Sequence, residues 1–470
     1  MNLSRNVPTA AQIECFAQSI SGHVSSQLSP GYESLRCGLV WNGRPPEHYP
    51  FLIVTARTTT DVAKAVDFAK CHGLATSARG SGHSYSAVFL CDGGLLLDLS
   101  QLNDITVERS AHRLSVGAGA RSGPIAAVLA QEGLAFPVGH DTQVGIGGFL
   151  LGGGLGINCA AWGGMSTFNI LAADIVTADG KTQYINAENN PDLFWALRGG
   201  GPGLPFIVTR FHLRCYAHPG LISSNTWLFH FSDLLHLTQE LEEVALSLDP
   251  RLQVMVAIFS ASPELAELCS AEDCGRIVAL TAMAFAEDVD DASLILGPLA
   301  LLPMLSNAIV RTENPSTRFA EIQEQGKALL VSQRFRTDNI LCDNLGDAVK
   351  IVMQHLPMAP SPASLSLIVL GGQKTLPEAA YSVSGRYFVS TYAQWDLTED
   401  DQVNAAWLKG FYDDMAEVAT SAYINEFDLE GRRDEVSRCY SAAAFERLVI
   451  LRQSYDPMGV FYNPFAHSCP

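Results

Sequence analysis

The chain has 470 residues, of which 47% are hydrophobic and 17% charged, so it is long enough to form two globular domains with separate cores. Its 49 acidic and 30 basic residues give a formal net charge of -19, and the basic residues do not cluster. Nucleic-acid binding is therefore not expected, because phosphate neutralisation needs clustered cations. Eleven cysteines at irregular spacings favour reduced thiols over a disulfide framework or a metal site.

Two segments bear on the location of the protein. Residues Met1–Asn6 are polar and no apolar run follows them, so we expect no secretory signal peptide and a cytoplasmic protein. Residues 142–173 carry no charged side chain and are long enough to imitate a transmembrane helix. Nine of these residues are glycine, which favours buried irregular backbone around a ligand over a membrane span.

The first predicted elements form a crossover unit. In chain order the pattern predicts a helix at Ala10–Ile20, a strand at Phe51–Arg57, a helix capped by Thr60 and ended by Gly73, and a strand at Leu74–Ala78. The last strand leads directly into the glycine-rich residues 79–84. Ligands of such folds bind at the carboxyl ends of the strands, so we expect a binding site at this loop.

The remaining pattern predicts a second domain and a tail. Further strands are predicted at Gly94–Leu99, Ile105–Glu108, Arg113–Val116, Ala173–Ala178, Thr182–Ile185, Phe206–Tyr216, Leu252–Phe259, Ile277–Phe285, Leu365–Leu370 and Tyr387–Tyr392, and helices at Ser122–Glu132, Asp192–Leu197, Leu234–Leu248, Pro263–Leu268 and Phe445–Tyr455. We expect an N-terminal helix and connection in residues 1–45, a first domain in 46–219, an α+β substrate domain in 220–422, and a tail, 423–470, that returns to the first domain.

Two glycine-rich segments are the strongest candidates for a binding site. The first, residues 79–84, reads Arg-Gly-Ser-Gly-His-Ser, and the second, residues 144–156, contains seven glycines. Backbone N–H groups in such segments can face an anion, so we expect a phosphate-bearing ligand between them with His83 beside its reactive end. No Gly-x-Gly-x-x-Gly fingerprint follows a strand, so an NAD site of the Rossmann type is not indicated.

These motifs resemble the berberine-bridge-enzyme-like branch of the vanillyl-alcohol-oxidase superfamily of flavoproteins. Residues 79–85 resemble the family loop around the histidine that bonds covalently to FAD, and residues 144–156 resemble its flavin-wrapping segment. Asn190–Gly200, Tyr423–Asn425 and Tyr455–Pro457 match family motifs in the same order. The resemblance covers nearly the whole chain past residue 45. It implies an α+β, two-domain PCMH-type FAD-binding fold, with a separate α+β substrate domain whose sheet is covered by helices.

The resemblance also implies the cofactor and its contacts. It implies FAD bound covalently to His83 and no metal, with cofactor contacts from Arg79, Gly80, Ser81, Gly82, Ser84, Asp141, Val144, Gly145, Gly147, Gly148, Gly152, Gly153, Gly154, Gly156 and Val208. Many relatives add a second covalent bond from a cysteine where this chain has Asp141, so a single link is implied. Asp141 could be a polar contact of the ring, act on the substrate, or order its own loop through backbone hydrogen bonds.

The chain departs from the family at Asp141 and, secondly, at the position of the catalytic base. After the Tyr-x-Asn motif many relatives have a tyrosine that takes a proton from the substrate, and this chain has Glu426. A buried carboxylate with a raised pKa can do the same work, so Glu426 is the first candidate. Tyr392, in the strand that floors the substrate pocket in the family, is the second. The alternatives are that Glu426 is a solvated or structurally paired carboxylate and that Tyr392 is a core aromatic residue.

The sequence thus predicts an FAD-dependent oxidase. We expect it to oxidise a small organic substrate, a natural product rather than a sugar, by hydride transfer to the flavin with molecular oxygen as acceptor. Two prolines in residues 201–209 and the altered motif Asn463–His467 indicate an atypical substrate or flavin environment. The alternatives are a dehydrogenase of the same fold that rejects oxygen and a flavin-binding protein without catalysis. The sequence does not indicate an oligomeric state.

Overall fold

A computed structural model describes residues 7–371 and 375–465 of the chain. The polar N-terminal residues Met1–Asn6 and the C-terminal Ala466, His467 and Cys469 lie outside these ranges. The strands up to residue 217 are β1 (His23–Ser26), β2 (Leu52–Thr55), β3 (Thr76–Arg79), β4 (Leu95–Asp98), β5 (Ile105–Glu108), β6 (Arg113–Gly117), β7 (Leu134–Ala135), β8 (Ile170–Thr177), β9 (Thr182–Asn186), β10 (Phe206–Arg214) and β11 (Tyr216–Ala217). The helices are α1 (Ala10–Ser19), α2 (Tyr32–Gly38), α3 (Thr59–His72), α4 (Ser122–Gln131), α5 (Ile146–Leu151) and α6 (Pro191–Leu197).

The second part of the chain adds seven strands and seven helices within the described ranges. Its strands are β12 (Leu221–His230), β13 (Leu252–Ser260), β14 (Arg276–Ala286), β15 (Val310–Asn314), β16 (Arg334–Cys342), β17 (Leu365–Leu370) and β18 (Tyr387–Trp395). Its helices are α7 (Leu234–Val244), α8 (Pro263–Ala266), α9 (Val289–Ala300), α10 (Phe319–Ala328), α11 (Leu345–His355), α12 (Asp401–Met415) and α13 (Ala442–Tyr455). The fold is mixed α+β with two domains, as predicted.

The first domain contains two principal sheets. One has the order β1-β2-β4-β3, in which β2, β4 and β3 are parallel and β1 is antiparallel to β2. The other is antiparallel, with the order β5-β6-β10-β8-β9. Because β3 runs parallel to β2 and β4, the loop that follows it leaves from the carboxyl end of the parallel strands, where the sequence predicted a ligand site.

Helix α3 begins two residues earlier than predicted. Its N-cap is Thr58, whose Oγ1 accepts a hydrogen bond from the Asp61 backbone N–H at 3.1 Å, while the Asp61 carboxylate accepts one from the Thr58 N–H at 3.2 Å. The predicted cap, Thr60, lies inside the helix, because only Thr58 has an acidic residue three positions later to complete the capping box. Gly73 ends the helix at φ 65°, as predicted.

Several elements were missed by the sequence pattern. Residues 1–45 contain β1 and α2 as well as α1, and the strands β12 and β16 were not predicted. Strand β16 has polar side chains such as Arg336, Asp338 and Asn339, two of which are buried. These side chains find their partners in the C-terminal tail, so the alternation that identifies an isolated strand is lost.

The large antiparallel sheet of the second domain has the order β15-β12-β14-β13-β17-β18-β16. Alternate residues of each strand point to opposite faces. One face packs against α7, α9, α11 and α12 and forms the second core. The other face, which includes Met255, Leu367 and Tyr392, lines a cavity against the first domain. The helical cover predicted for the sheet is therefore present on one face, and the uncovered face is available to a ligand.

The uncharged stretch 142–173 is mainly irregular backbone, as predicted, with one short α-helix, α5, a 3₁₀-helix at Ser166–Asn169 and the beginning of β8. Helix α5 is the only α-helix that lies within this stretch, all of which the structure describes, and it is six residues long. Across residues 7–371 and 375–465, no helix combines the length and apolar character that a membrane crossing requires.

Candidate active site

A cavity of about 660 Å³ lies between the two glycine-rich segments and the uncovered face of the large sheet. This volume is in the range of about 300–1,000 Å³ that small-molecule and cofactor sites occupy. Its wall includes most of the predicted site residues: Arg79, Gly80, Ser81, Gly82, His83, Ser84, Asp141, Val144, Gly145, Gly147, Gly148, Val208, Tyr392 and Glu426. Tertiary structure thus brings together groups that are more than 300 positions apart in the chain.

The first glycine loop is shaped by Arg79. The Arg79 guanidinium donates to Asp98 Oδ1 at 2.8 Å, to the Leu39 carbonyl at 3.1 Å and to the Ser81 carbonyl at 2.8 Å. A Cβ on Gly82, which has φ +79°, would lie 2.0 Å from the same Leu39 carbonyl, so only glycine fits there. Each guanidinium nitrogen of Arg79 is therefore engaged by protein atoms, and its observed role is to hold the loop.

The second glycine run divides into two parts. Gly145 touches the first loop, since a Cβ there would lie 2.6 Å from Ser81 Oγ. Gly148 lines the cavity and has no atom within 4 Å of its Cβ position, so its backbone is open to a ligand. In contrast, Gly152, Gly153, Gly154 and Gly156 do not line the cavity. Protein atoms fill the space beside them, and Asn425 Oδ1 would lie 1.9 Å from a Cβ on Gly152.

His83 is held in the cavity wall by two neighbours. Trp41 stacks on its imidazole, with ring centroids 4.2 Å apart and planes 24° apart. Its Nε2 lies 3.7 Å from Asp141 Oδ2, and both side chains are largely buried. The Trp41 backbone N–H donates to the Gly82 carbonyl at 3.1 Å, which ties the N-terminal segment to the loop. The ring of His83 therefore has a fixed plane and faces one carboxylate.

The residues of this end of the cavity fit a dinucleotide. Two buried polar atoms of its wall, Thr76 Oγ1 and Ser77 Oγ, have no hydrogen-bond partner in the described part of the chain. Buried polar atoms without partners are rare in proteins, and a bound polar ligand would satisfy them. The described lining contains no lysine, and its one arginine, Arg79, is paired with Asp98. Phosphates would therefore be met by backbone N–H groups and hydroxyls, the donors that glycine loops provide.

The two candidate bases form one hydrogen-bonded pair. Glu426 Oε2 accepts hydrogen bonds from Tyr392 Oη and from Ser390 Oγ, both at 2.7 Å. Burial raises the pKa of Glu426 above its usual range, although these two hydrogen bonds offset part of the rise. Burial, together with the charge of Glu426, raises the pKa of Tyr392 well above its ordinary value. Tyr392 therefore remains a neutral donor, and Glu426 is the group of the pair that can accept a proton.

The backbone of Glu426 is fixed by strand β16. Thr337 Oγ1 donates to the Glu426 carbonyl at 3.2 Å, and Asn339 exchanges two hydrogen bonds with the backbone of Tyr423. Tyr423 Oη accepts the backbone N–H groups of Gly154 and Leu155, which anchors the Tyr-x-Asn motif on the uncharged stretch. The motif thus carries Glu426 to the junction of both domains.

The wall formed by the large sheet is apolar. Its side chains come from alternate positions of β12, β13, β14, β17 and β18: Leu228, Met255, Ala257, Phe259, Ala279, Met283, Leu365, Leu367, Val369 and Phe388. Thr226 and Thr281 are the hydroxyl side chains among the inward residues of β12 and β14, and their Oγ1 atoms are paired at 3.2 Å. Polar groups are concentrated at the other side of the cavity, around Glu426 and His83. Among the described residues, no cluster of His, Cys, Asp or Glu is arranged to hold a metal ion.

Comparisons with known proteins indicate an FAD-linked oxidoreductase. A family model for an FAD binding domain matches residues 50–186. The chain is 27% identical over 437 residues to the FAD-linked oxidoreductase nodO of Hypoxylon pulicicidum, and the aligned region covers 92% of this chain and 94% of that protein. It is also 34% identical over 225 residues to (R)-6-hydroxynicotine oxidase of Paenarthrobacter nicotinovorans, 47% of this chain and 48% of that protein. The solved structure of wild-type Physcomitrella patens BBE-like 1 has the same fold, with a TM-score of 0.80 over 96% of this chain and 98% of that chain at 21% identity.

The chain contains an FAD binding domain and is an FAD-linked oxidoreductase with the fold of the berberine-bridge-enzyme-like proteins. FAD is accordingly its cofactor, and the end of the cavity that is lined by the glycine loops, Thr76 and Ser77 is the part of this oxidoreductase that fits it.

Sequence analysis of this oxidoreductase missed His140. Its Nε2 lies 3.0 Å from the Gln253 amide nitrogen, and Gln253 Oε1 accepts the Asn158 backbone N–H at 2.8 Å. Since a backbone N–H can only donate, the amide must donate to His140 Nε2, and the His140 proton is then on Nδ1. Burial lowers the pKa of His140 to about 4, so the ring is neutral. The only sequence signal was its position beside Asp141.

Trp41 was missed as well, because it follows a segment without a recognisable pattern. It belongs to an aromatic group of the oxidoreductase that runs from His83 to Phe335, whose ring lies 4.8 Å from that of Trp41. Tyr85 joins this group to Tyr392, with ring centroids 5.9 Å apart. The group connects the predicted flavin attachment point to the predicted base, and only the fold reveals it.

Proposed function

We propose that this protein is an oxidase that holds FAD covalently through His83 alone and oxidises a small, largely apolar organic molecule with molecular oxygen as the acceptor. The observation that carries the proposal is the pairing of Glu426 with Tyr392 in the same cavity as His83. A proton acceptor beside a hydride acceptor is what oxidation of an alcohol, phenol or amine requires. When bound, FAD supplies that hydride acceptor.

Glu426 is the proposed base. Its Oε2 is held by Tyr392 and Ser390, whereas no donor in the described ranges reaches its Oε1. The side chain is partly accessible from the cavity, so Oε1 is free to take a proton from a substrate O–H or N–H group. Its raised pKa makes it a stronger base than an exposed carboxylate. Tyr392 acts as its positioning partner, because the phenol remains protonated.

The substrate is proposed to have an apolar body. The sheet wall offers aliphatic and aromatic side chains such as Met255, Leu367 and Phe388, which would bury apolar surface at about 25 cal/mol per Å². A sugar would leave its hydroxyl groups unpaired against this wall, which is costly. His140 is a neutral N–H donor in the wall and is available to one oxygen of the substrate. A natural product that is mainly hydrocarbon fits these features.

Two further parts of the proposal concern the link and the location. The single covalent link is supported by Asp141, because many members of the family that the sequence resembles have a cysteine at this position and an aspartate cannot form the second bond. A cytoplasmic location is proposed because the irregular spacing of the eleven cysteines favours reduced thiols.

Intact-mass analysis and acid precipitation test the covalent link. The wild-type protein should carry one added FAD, remain yellow after denaturation, and yield its flavin on the peptide that contains His83. The His83→Ala variant should hold at most a dissociable cofactor. Complete release of colour from the wild type into acid supernatant would refute the link.

A turnover assay tests the oxidase chemistry. Peroxide release should occur with members of a panel of apolar alcohols, phenols and amines and should be far slower with matched sugars. Stopped-flow reoxidation of the reduced protein distinguishes an oxidase from a dehydrogenase, since a dehydrogenase would react slowly with oxygen. Reduction by none of the panel would indicate a flavin-binding protein without catalysis.

A further inference from the structure

Asp141 and His83 form a buried pair whose purpose the oxidation of substrate does not explain. The side chains of His83 and Asp141 are 9% and 10% exposed, and the distance between Nε2 and Oδ2 is 3.7 Å. Nε2 of His83 is buried and, among the described residues, has no hydrogen-bond partner. The carboxylate of Asp141 is therefore the charge that this nitrogen faces.

Both members of the pair are held in place. Trp41 stacks on the imidazole at 4.2 Å and fixes the plane of the ring. Asp141 Oδ1 accepts the Gln143 backbone N–H at 2.7 Å, which fixes the carboxylate. With both groups fixed, Nε2 points toward Asp141 and Nδ1, on the other side of the ring, does not.

The charge of Asp141 selects between the two tautomers of His83. Burial raises the pKa of Asp141, but the interaction with His83 and the Gln143 N–H outweigh burial and leave this pKa below its usual value, so the carboxylate is ionised at neutral pH. A neutral imidazole has an N–H on one nitrogen and a lone pair on the other. A carboxylate beside Nε2 stabilises the N–H there and repels a lone pair, so the lone pair is on Nδ1.

We propose that Asp141 is a positioning residue that keeps the proton of His83 on Nε2 and thereby makes Nδ1 the nucleophile that attaches FAD to the chain. This inference rests on the proposed covalent link through His83. The bond that forms joins Nδ1 to the ring methyl carbon of the flavin. One proton leaves that methyl group and another leaves Nε2, on the side of Asp141. The ring system takes up the two electrons, and molecular oxygen removes them as hydrogen peroxide.

The competing explanation is that Asp141 only orders its loop through Gln143. Asp141→Asn separates the two, because an amide oxygen can still accept the Gln143 N–H while the negative charge is lost. Asp141→Ala removes both interactions and leaves space for a small carboxylate beside His83. The matched control is Asp174→Asn, since Asp174 pairs with His212 at 3.1 Å in the same domain but outside the cavity.

The experiment follows covalent FAD by intact mass at intervals after the purified variants are supplied with excess FAD in air. In Asp141→Asn and Asp141→Ala, covalent attachment should be roughly tenfold to hundredfold slower than in the wild type, the effect expected for loss of a charge-assisted contact. Both variants should still bind FAD that acid releases. Sodium formate should accelerate attachment in Asp141→Ala, and Asp174→Asn should match the wild type.

The outcomes are distinct. Attachment in both Asp141 variants at the wild-type rate would overturn the proposal, and so would slow attachment in both with no response to formate, which would assign Asp141 a structural role. If Asp141→Ala does not fold, Asp141→Asn alone decides by its rate. Failure of the covalent link itself is read separately, from a wild-type protein whose FAD is released by acid.

Discussion

Replacement of Glu426 by glutamine tests the proposed base with little change of shape. The carboxylate accepts two hydrogen bonds at 2.7 Å, from Tyr392 and Ser390, and an amide oxygen can continue to accept them. The backbone of residue 426 is held independently by Thr337. The substitution therefore removes the ability to accept a proton and leaves the cavity, the FAD end and His83 unchanged.

The rate loss expected for Glu426→Gln follows from the proposed role of Glu426 as a general base. A positioned general base contributes about 10²–10⁴-fold to the rate, which corresponds to about 3–5 kcal/mol of transition-state stabilisation. Glu426→Gln should slow the reductive half-reaction by this factor while FAD content remains that of the wild type. Tyr392→Phe should have a smaller effect, because it removes one hydrogen bond to the carboxylate, about 1.5–3 kcal/mol, but leaves the base.

Anaerobic stopped-flow measurement of flavin bleaching is the assay, with the alcohol, phenol or amine that the wild type oxidises fastest. The wild-type rate should rise with pH through the raised pKa of Glu426, because only the ionised carboxylate accepts a proton. Tyr392→Phe should move this limb to higher pH, since the ionised form loses a donor. The matched control is Glu430→Gln, which removes only a half-exposed ion pair with Arg44 at 3.0 Å.

Two results would refute the reasoning. An unchanged bleaching rate in Glu426→Gln would exclude the carboxylate from the chemistry. A loss of the same size in Glu430→Gln would show that the effect comes from the segment and not from the base.

Three further outcomes are expected. Arg432→Met should lower the free energy of unfolding by about 3–5 kcal/mol, measured by urea denaturation, because it leaves the 1% exposed carboxylate of Asp338 without its partner at 2.7 Å. Gly145→Ala should reduce FAD content and lower stability by about 1–3 kcal/mol, as its Cβ would lie 2.6 Å from Ser81 Oγ; a normal yellow protein would contradict this account of the loops. The stability of Glu426→Gln relative to the wild type should increase as the pH rises from 4.5, the ordinary pKa of a glutamate, through the raised pKa of Glu426 in the folded state. The reason is that the wild type must then ionise a buried carboxylate, which costs folding free energy. An equal difference in unfolding free energy at pH 4 and pH 8 would count against a raised pKa.

Local sequence determined the parts of the fold that depend on neighbours in the chain. The hairpin of β8 and β9, the helix α6 with its proline start, and the strand β17 follow the predicted ranges closely, because turn chemistry, caps and apolar runs act over a few residues. The motif around His83 likewise identified the FAD end of the cavity, since glycine loops are used where backbone must approach a ligand closely.

Only tertiary structure decided how the site residues combine. The sequence offered Glu426 and Tyr392 as alternative bases, and the fold makes them one pair because β18 and the C-terminal tail meet at the cavity. It offered every glycine of residues 144–156 as a cofactor contact, yet Gly152 is packed against Asn425 from the tail. These outcomes depend on contacts between residues hundreds of positions apart, and no local pattern encodes such distances.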